Sequence, residues 1–186
     1  MTTWNKQIEN RNFLSPIGFK FTLAKFPKVS YFCQAANIPS MNLNIQQQPT
    51  PFRSLPLEGF IEYDPLNISF LIDEDLENFM IIHNWIRGLG TPDGYADRVR
   101  YNDKMKAVLN MPDQDKYGDA TLIVLNSNFK ANFEVVFKDL YPMSISALEF
   151  NASVDGTEYA MGQVSFKYTG YEVRTADTSE TVTKLS

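Results

Sequence analysis

The sequence predicts a mainly β protein, a β-barrel or two-sheet sandwich with one packed α-helix. Most of the chain consists of short segments in which apolar and polar residues alternate, the period of a half-buried strand. The core material is aromatic, with 14 Phe, 9 Tyr and 2 Trp among 186 residues. Such side chains favour strands and bury large areas. One stretch alone, Asp73 to Leu89, repeats its apolar residues at convincing helical spacing.

Met1 to Ser15 is polar and poorly periodic, and reads as an N-terminal arm that orders on a partner surface. A single domain is expected over residues 16–173. Its first strand places Phe19, Phe21 and Leu23 on one face. After Pro27-Lys28, the alternation of Val29, Tyr31, Cys33 and Ala35 predicts a second strand, closed by Ile38-Pro39. Residues 43–60 read as a projecting arm. Pro49, Pro51 and Pro56 punctuate it, so it fits an extended hairpin with few internal ladder bonds. Ile61 to Asp64 and Leu66 to Ile72 resume strand behaviour.

The helix takes Asp73 as its cap, with Glu74, Asp75 and Glu77 where the dipole favours negative charge. Phe79, Ile82, Ile86 and Leu89 form the expected buried stripe, and Gly88 or Gly90 ends the helix. On this phase Ile81 falls on the polar side and Trp85 between the faces. Residues 91–118 are charged and broken by Pro and Gly, an insertion with one or two helical turns around Asp103 to Leu109. Strands return at Ala120 to Leu125 and at Phe133 to Phe137. That strand should stop at the Tyr141-Pro142 corner, with another over Ile145 to Ser153. After a turn at Asp155-Gly156-Thr157, one long strand runs to Val173, with Val164, Phe166 and Tyr168 on one face. Residues 174–186 read as a flexible tail.

Twenty-two acidic against 17 basic residues give a net charge of −5, a poor balance for clamping duplex DNA. The single cysteine, Cys33, forms no internal disulfide. No apolar run reaches the roughly 18 residues of a membrane span, and the N-terminus lacks a signal peptide's apolar core. The chain is therefore expected in a reducing cytoplasm, without a membrane anchor.

Chemistry is sparse. His83 is the single histidine and sits inside the helix, where surface or core filler explains it better than catalysis. No metal site of familiar spacing and no phosphate loop is present. Asp73-Glu74-Asp75 is explained by the helix start, and Asp113, Asp115 and Asp119 lack a calcium loop's closing Glu. The basic residues around Tyr101 are interspersed with Asp97 and Asp103, which favours a solvated loop. No catalytic residue, cofactor or metal is assigned, and enzyme activity is not expected.

From Ile17 to Val173 the order of elements resembles the tail tube proteins of contractile-tailed bacteriophages. Phe32-Cys33-Gln34-Ala35-Ala36-Asn37-Ile38-Pro39 looks like that family's second strand, with Cys, then Ala, then Pro. A long arm follows, then a strand whose acidic end opens a helix with a late Trp, here Asp73 and Trp85. Leu140-Tyr141-Pro142 stands where the family often has a Trp-Pro corner. The long 91–118 insertion departs from the pattern and fits a ring protein at the tube's end as well.

The resemblance implies six copies in a ring whose sheets join into an inner barrel, and rings stacked into a conduit for viral DNA. Implied partners are further copies of the chain, sheath, baseplate and neck proteins, and DNA that passes without specific binding. The implied location is the virion tail, after assembly in the host cytoplasm. Alternatives are a tube-terminus ring at neck or baseplate, a type VI secretion-like tube ring, and a monomeric β-barrel binding an apolar small molecule. The lumen wall is expected to be polar and neutral to negative, so that phosphate slides past. Candidate intersubunit contacts are Ile81 and Trp85 on the helix, and Leu43, Ile45 and Phe52 in the arm.

Overall fold

A computed structural model describes residues 13–26, 29–30, 32–90, 94, 96, 99–100, 103, 117–150 and 159–176. Its strands are β1 (Phe19–Leu23), β2 (Cys33–Ala36), β3 (Met41–Pro49), β4 (Ser54–Tyr63), β5 (Leu66–Leu71), β6 (Gly118–Leu125), β7 (Ala131–Ile145), β8 (Met161–Lys167) and β9 (Gly170–Thr175). A helix, α1 (Glu77–Gly90), lies between β5 and β6. The mainly β expectation holds, with antiparallel pairing throughout.

Seven strands share one hydrogen-bonded sheet in the order β1-β6-β7-β8-β5-β2, with β9 alongside β7. The organising element is β7. Its first part pairs with β6 and β9, and Tyr141–Ile145 pairs with β8. The strand thus leaves one half-sheet (β1, β6, β7, β9) and enters the other (β7, β8, β5, β2). Strands that switch sheets do so at bends or bulges. Here Asp139 takes φ 53°, a left-handed conformation that Asp tolerates better than most residues, and the register shifts between Pro142 and Ser144.

The expected Tyr141-Pro142 corner is therefore a mid-strand switch. Pro142 survives there because, among the described residues, this part of β7 has only β8 beside it, so a missing donor breaks no second ladder. Strand structure ends at Ile145, and residues 146–150 are not strand, against the expected Ile145–Ser153 strand. The long terminal strand is likewise two strands, because Tyr168 and Thr169 carry the chain from one half-sheet to the other. Residues Val164, Phe166 and Tyr168 are all buried on one face, as the alternation predicts. β9 continues to Thr175 through its pairing with Phe133.

Both half-sheets and α1 close over one core. Phe21, Leu122, Val135 and Phe137 enter it from the first half, Ile68, Phe70, Val164 and Phe166 from the second. The second strand is shorter than expected: Val29 and Ser30 have helical backbone, and only Cys33–Ala36 pairs with β5. The Ser30 hydroxyl explains the turn, since its oxygen accepts the Leu23 N–H at 2.6 Å. Val29, expected in a strand, is buried in the core from this turn.

The helix is rotated from its expected phase. Its buried residues are Asn78, Ile81, Ile82 and Trp85, spaced i, i+3, i+4, i+7. Ile81 is 7% exposed and Trp85 5%, so neither presents an outward contact as anticipated. Phe79 is only half-buried, while Ile86 and Leu89 pack at the core's margin. The fully buried Asn78 is the reason: its side-chain NH2 donates to the Leu71 carbonyl at 2.7 Å and its oxygen accepts the Asp73 N–H at 3.3 Å. These bonds satisfy the strand-to-helix connection and pin the phase. The helix also starts later than the expected Asp73 cap. Leu76, at φ 57°, precedes Glu77, and its carbonyl accepts the Met80 N–H at 2.9 Å.

The expected N-terminal arm (except Phe13–Ser15), the 91–118 insertion with its Asp103–Leu109 turns (apart from a few positions), the Asp155-Gly156-Thr157 turn and the tail beyond Ala176 lie outside the described residues.

Candidate assembly surfaces

Among the described residues the arm is a two-stranded sheet of its own, β3 against β4, hydrogen-bonded to no other strand. It is better laddered than its prolines predicted, with register partners from Met41↔Tyr63 to Pro49↔Ser54. Prolines fit because each strand has an open edge, and a bulge between Leu43 and Ile45 absorbs the misfit. Gly59 is required there, since a Cβ would lie 2.6 Å from the Asn44 carbonyl oxygen. Gly59→Ala should therefore distort the arm while leaving the core melt unchanged, a difference that amide exchange restricted to β3 and β4 would register.

Aromatic packing roots the arm in the body. Tyr63, at the end of β4, lies 5.8 Å from the Tyr168 ring and 5.6 Å from Tyr171, and Tyr168 meets Phe137 edge-on at 5.1 Å. The Tyr168 hydroxyl donates to the Asp64 carbonyl at 2.9 Å, and the Lys167 ammonium to the Tyr63 carbonyl at 2.9 Å. Burial pushes the Tyr168 phenol above its usual range, so it stays a donor at physiological pH. Ser40 and Asp64 close the base through hydrogen bonds of backbone and side chain. Tyr168→Phe removes one partly buried bond and should cost about 1 kcal/mol in a thermal or urea melt.

Beyond this root the arm is exposed. Leu43 and Ile45 lie on one face, and Phe52, in the turn joining the strands, is 97% exposed. These three sequence-predicted contacts are thus presented to solvent, in one projecting element, while Ile81 and Trp85 are not.

The second half-sheet has two unlike faces. Leu66, Ile68, Phe70, Val164 and Phe166 turn into the core. The opposite face carries uncharged polar residues in cross-strand rows: Ser144 opposite Ser165 opposite Asn67, and Gln163 opposite Ser69 opposite Ala35. Ser165 Oγ donates to Asn67 Oδ1 at 2.6 Å, and the Gln163 N–H to Ser146 Oγ at 3.0 Å. Lys167 enters at one end only, with its ammonium turned to the Tyr63 carbonyl. Among the described residues both edges of this half-sheet are open: β2 has β5 on one side alone, and Tyr141–Ile145 has β8 alone.

The first half-sheet's outer face differs in kind. Lys20, Ile123, Glu134 and Arg174 form one cross-strand row. Glu172 pairs with Lys138 and, at 2.7 Å, with Arg174. The bond from Lys138 foremost, then that from Arg174, holds the Glu172 carboxyl below its usual range. Any stability from this surface network is present at neutral pH and lost as the pH falls through that lowered pKa.

Cys33 opens β2 half-buried, and burial raises its thiol to about 11, against a weaker opposing hydrogen bond with the Ala35 backbone. Roughly a hundredfold less thiolate follows than for a free thiol. Disulfide-exchange labelling at pH 8 should therefore be slow on the native chain and become fast on adding denaturant. Among the described residues no cluster of His, Cys, Asp and Glu is placed to hold a metal, and no helix is long and apolar enough to cross a membrane.

Sequence reasoning missed Asn78, since a polar residue on the apolar stripe argued against the true helix phase. It also missed the polar rows, which become visible only when the strand register sets Ser144, Ser165 and Asn67 side by side.

The fold is thus a two-half antiparallel sheet with one packed helix and a projecting hairpin. The tail tube protein family of phages matches residues 4–174, and the chain belongs to that family. Among solved structures, the tube-terminating cap of the anti-feeding prophage is similar at a TM-score of 0.64 and 13% identity, covering 95% of this chain and 100% of the cap chain. The sheath–tube complex of the PVC extracellular contractile injection system gives 0.57 at 11% identity, covering 94% and 99%. A chain of the anti-feeding prophage baseplate gives 0.55 at 11%, covering 86% and 92%. No curated protein matches the chain.

Proposed function

We propose that this protein forms hexameric rings that stack into the tube of a contractile phage tail, the conduit for DNA ejection, with the uncharged face of the second half-sheet lining the lumen. The observation that carries this reading is that face together with its two open edges. Strands β7, β8, β5 and β2 alternate in direction, so β2 of one copy meets Tyr141–Ile145 of the next as another antiparallel pair. Head-to-tail repetition closes into a ring, and the edges that would otherwise invite aggregation are used up. The lumen then presents Ser, Asn and Gln, with Ser165 bonded to Asn67 and with Leu71 opposite Met161 as the row at one end, and it gives phosphate few cations to hold.

In this reading the protein is a structural virion component without a catalytic cycle. Sheath, baseplate and neck proteins are its further partners. A tube-terminus ring is the second reading, supported by the full-length likeness to a cap chain. Copy number in purified particles separates the two: many stacked rings for a tube, one or two for a terminus.

The edge pairing is tested by cross-linking. In a Cys33→Ser background, Ala35→Cys and Ser144→Cys place thiols on the same face of the two edges. Mild oxidation of assembled protein should give covalent ladders ending at the hexamer. Assembled rings without ladders would place the joint elsewhere.

A further inference from the structure

The end of the first half-sheet formed by the β6–β7 turn carries a group of exposed apolar side chains. Phe13 is 93% exposed, Ile17 81% and Phe129 73%. Scattered singly, such residues need no account, but these gather around one turn. The Gly18 carbonyl accepts the Leu125 N–H at 2.9 Å, which sets Ile17 beside the end of β6. The turn itself is preformed. Asn126 Oδ1 accepts the N–H groups of Asn128 at 2.9 Å and Lys130 at 3.1 Å, and Phe129 sits at φ 56°.

A cavity of about 320 Å³ lies here, lined by Phe13, Leu14 and Phe133 together with Asn126, Asn128 and Asn132. That volume falls within the range of ligand sites, about 300–1,000 Å³. Its chemistry suits a polypeptide segment. Asn side chains both donate to and accept from a backbone, and the Phe and Leu residues take apolar side chains.

The chain delivers such a segment to this place. Thr175, the last residue of β9, stands opposite Phe133, and the Ala176 N–H donates to the Asn132 carbonyl at 3.2 Å. Residues 177–186 therefore leave the body from the lining of the cavity. Asp177, Thr178 and Ser179 are residue types that form turns. Val182 and Leu185 follow, within reach of about 20 and 30 Å of extended chain from Ala176. Charge agrees as well, since Asp177 and Glu180 oppose the exposed Lys130 of the turn. The family match ends at residue 174, so this segment lies beyond what the family shares.

We infer that residues 177–186 fold back on their own subunit and dock in this cavity, with Val182 and Leu185 covering Phe13 and Phe129, and so keep this end from associating. The contact is made within a single subunit and stands whether or not the protein builds tubes.

Amide exchange on the full chain, at concentrations where it is a single subunit, tests this. Residues 181–185 should exchange at least about tenfold more slowly than a free peptide of the same sequence, and equally so at every dilution. Two full-chain variants should release them. Ser127→Trp fills the cavity from an exposed position, and Val182→Asp with Leu185→Asp puts charge into an apolar contact. Both should keep the parent's circular dichroism, since Ser127 is outside the core and the other two lie beyond β9. A labelled peptide of residues 177–186 should bind the double variant, whose cavity is then free, and should not bind the parent. Light scattering should show the double variant associating at lower concentration than the parent. Fast exchange in the parent, or protection of residues 1–12 in place of 177–186, overturns the proposal. Protection that rises with concentration places the segment on another copy and overturns it too. So does protection that survives Ser127→Trp, or a double variant no more prone to associate than the parent.

Discussion

Replacing Ile81 by Asp is expected to unfold the subunit, at a cost above about 4 kcal/mol, with no folded baseline at 37 °C for a domain of ordinary stability. Ile81 packs in the core with Ile82 and Trp85, one helical turn past the buried Asn78. A carboxylate there has no cation among its described core neighbours and cannot reach water without displacing the helix. Phe79→Asp, by contrast, changes a half-buried position and should cost only about 1–3 kcal/mol. Urea melts of the two variants decide between helix phases. An Ile81→Asp chain as stable as the parent would put the helix back on the Phe79 phase.

Deleting residues 46–53 should have the opposite profile. The removed residues end β3 and form the turn with Phe52, all outside the core cluster. What remains, Met41 to Ile45 and the end of β4, keeps the root bonds to Tyr168 and Lys167. The variant should stay folded, with a melt within about 1 kcal/mol of the parent, and should lose tube formation entirely. Loss of the fold would make the arm part of the core. Tubes of normal length would remove the arm from assembly.

The contrast between these variants marks what the sequence could show. Strand existence was legible wherever one face is buried and the other wet, as in Phe21 and Leu23 or Val164 and Phe166, because period-two alternation records that burial directly. The arm was legible through its three prolines, which strand positions hydrogen-bonded on both sides do not tolerate. Strand ends were less so. Nothing local in Tyr141-Pro142 says that β7 passes through and changes partners, since the switch depends on β6 starting opposite Leu140 and β8 ending opposite Tyr141. The helix phase was misread because apolar residues lie on both candidate stripes, and the deciding one is an asparagine whose partners, Leu71 and Asp73, precede the helix. The lumen candidate was invisible for a related reason: Ser144, Ser165 and Asn67 are far apart in sequence and meet only through register.

A cryo-EM reconstruction of the purified, assembled protein tests the central claim most directly. The account predicts six-fold rings in which the second half-sheets run edge to edge around the lumen, β2 beside the next copy's Tyr141–Ile145. Asn67, Gln163 and Ser165 should face the channel. Rings whose channel is lined by the charged face of Lys20, Glu134 and Arg174, or particles that remain single subunits, would contradict it.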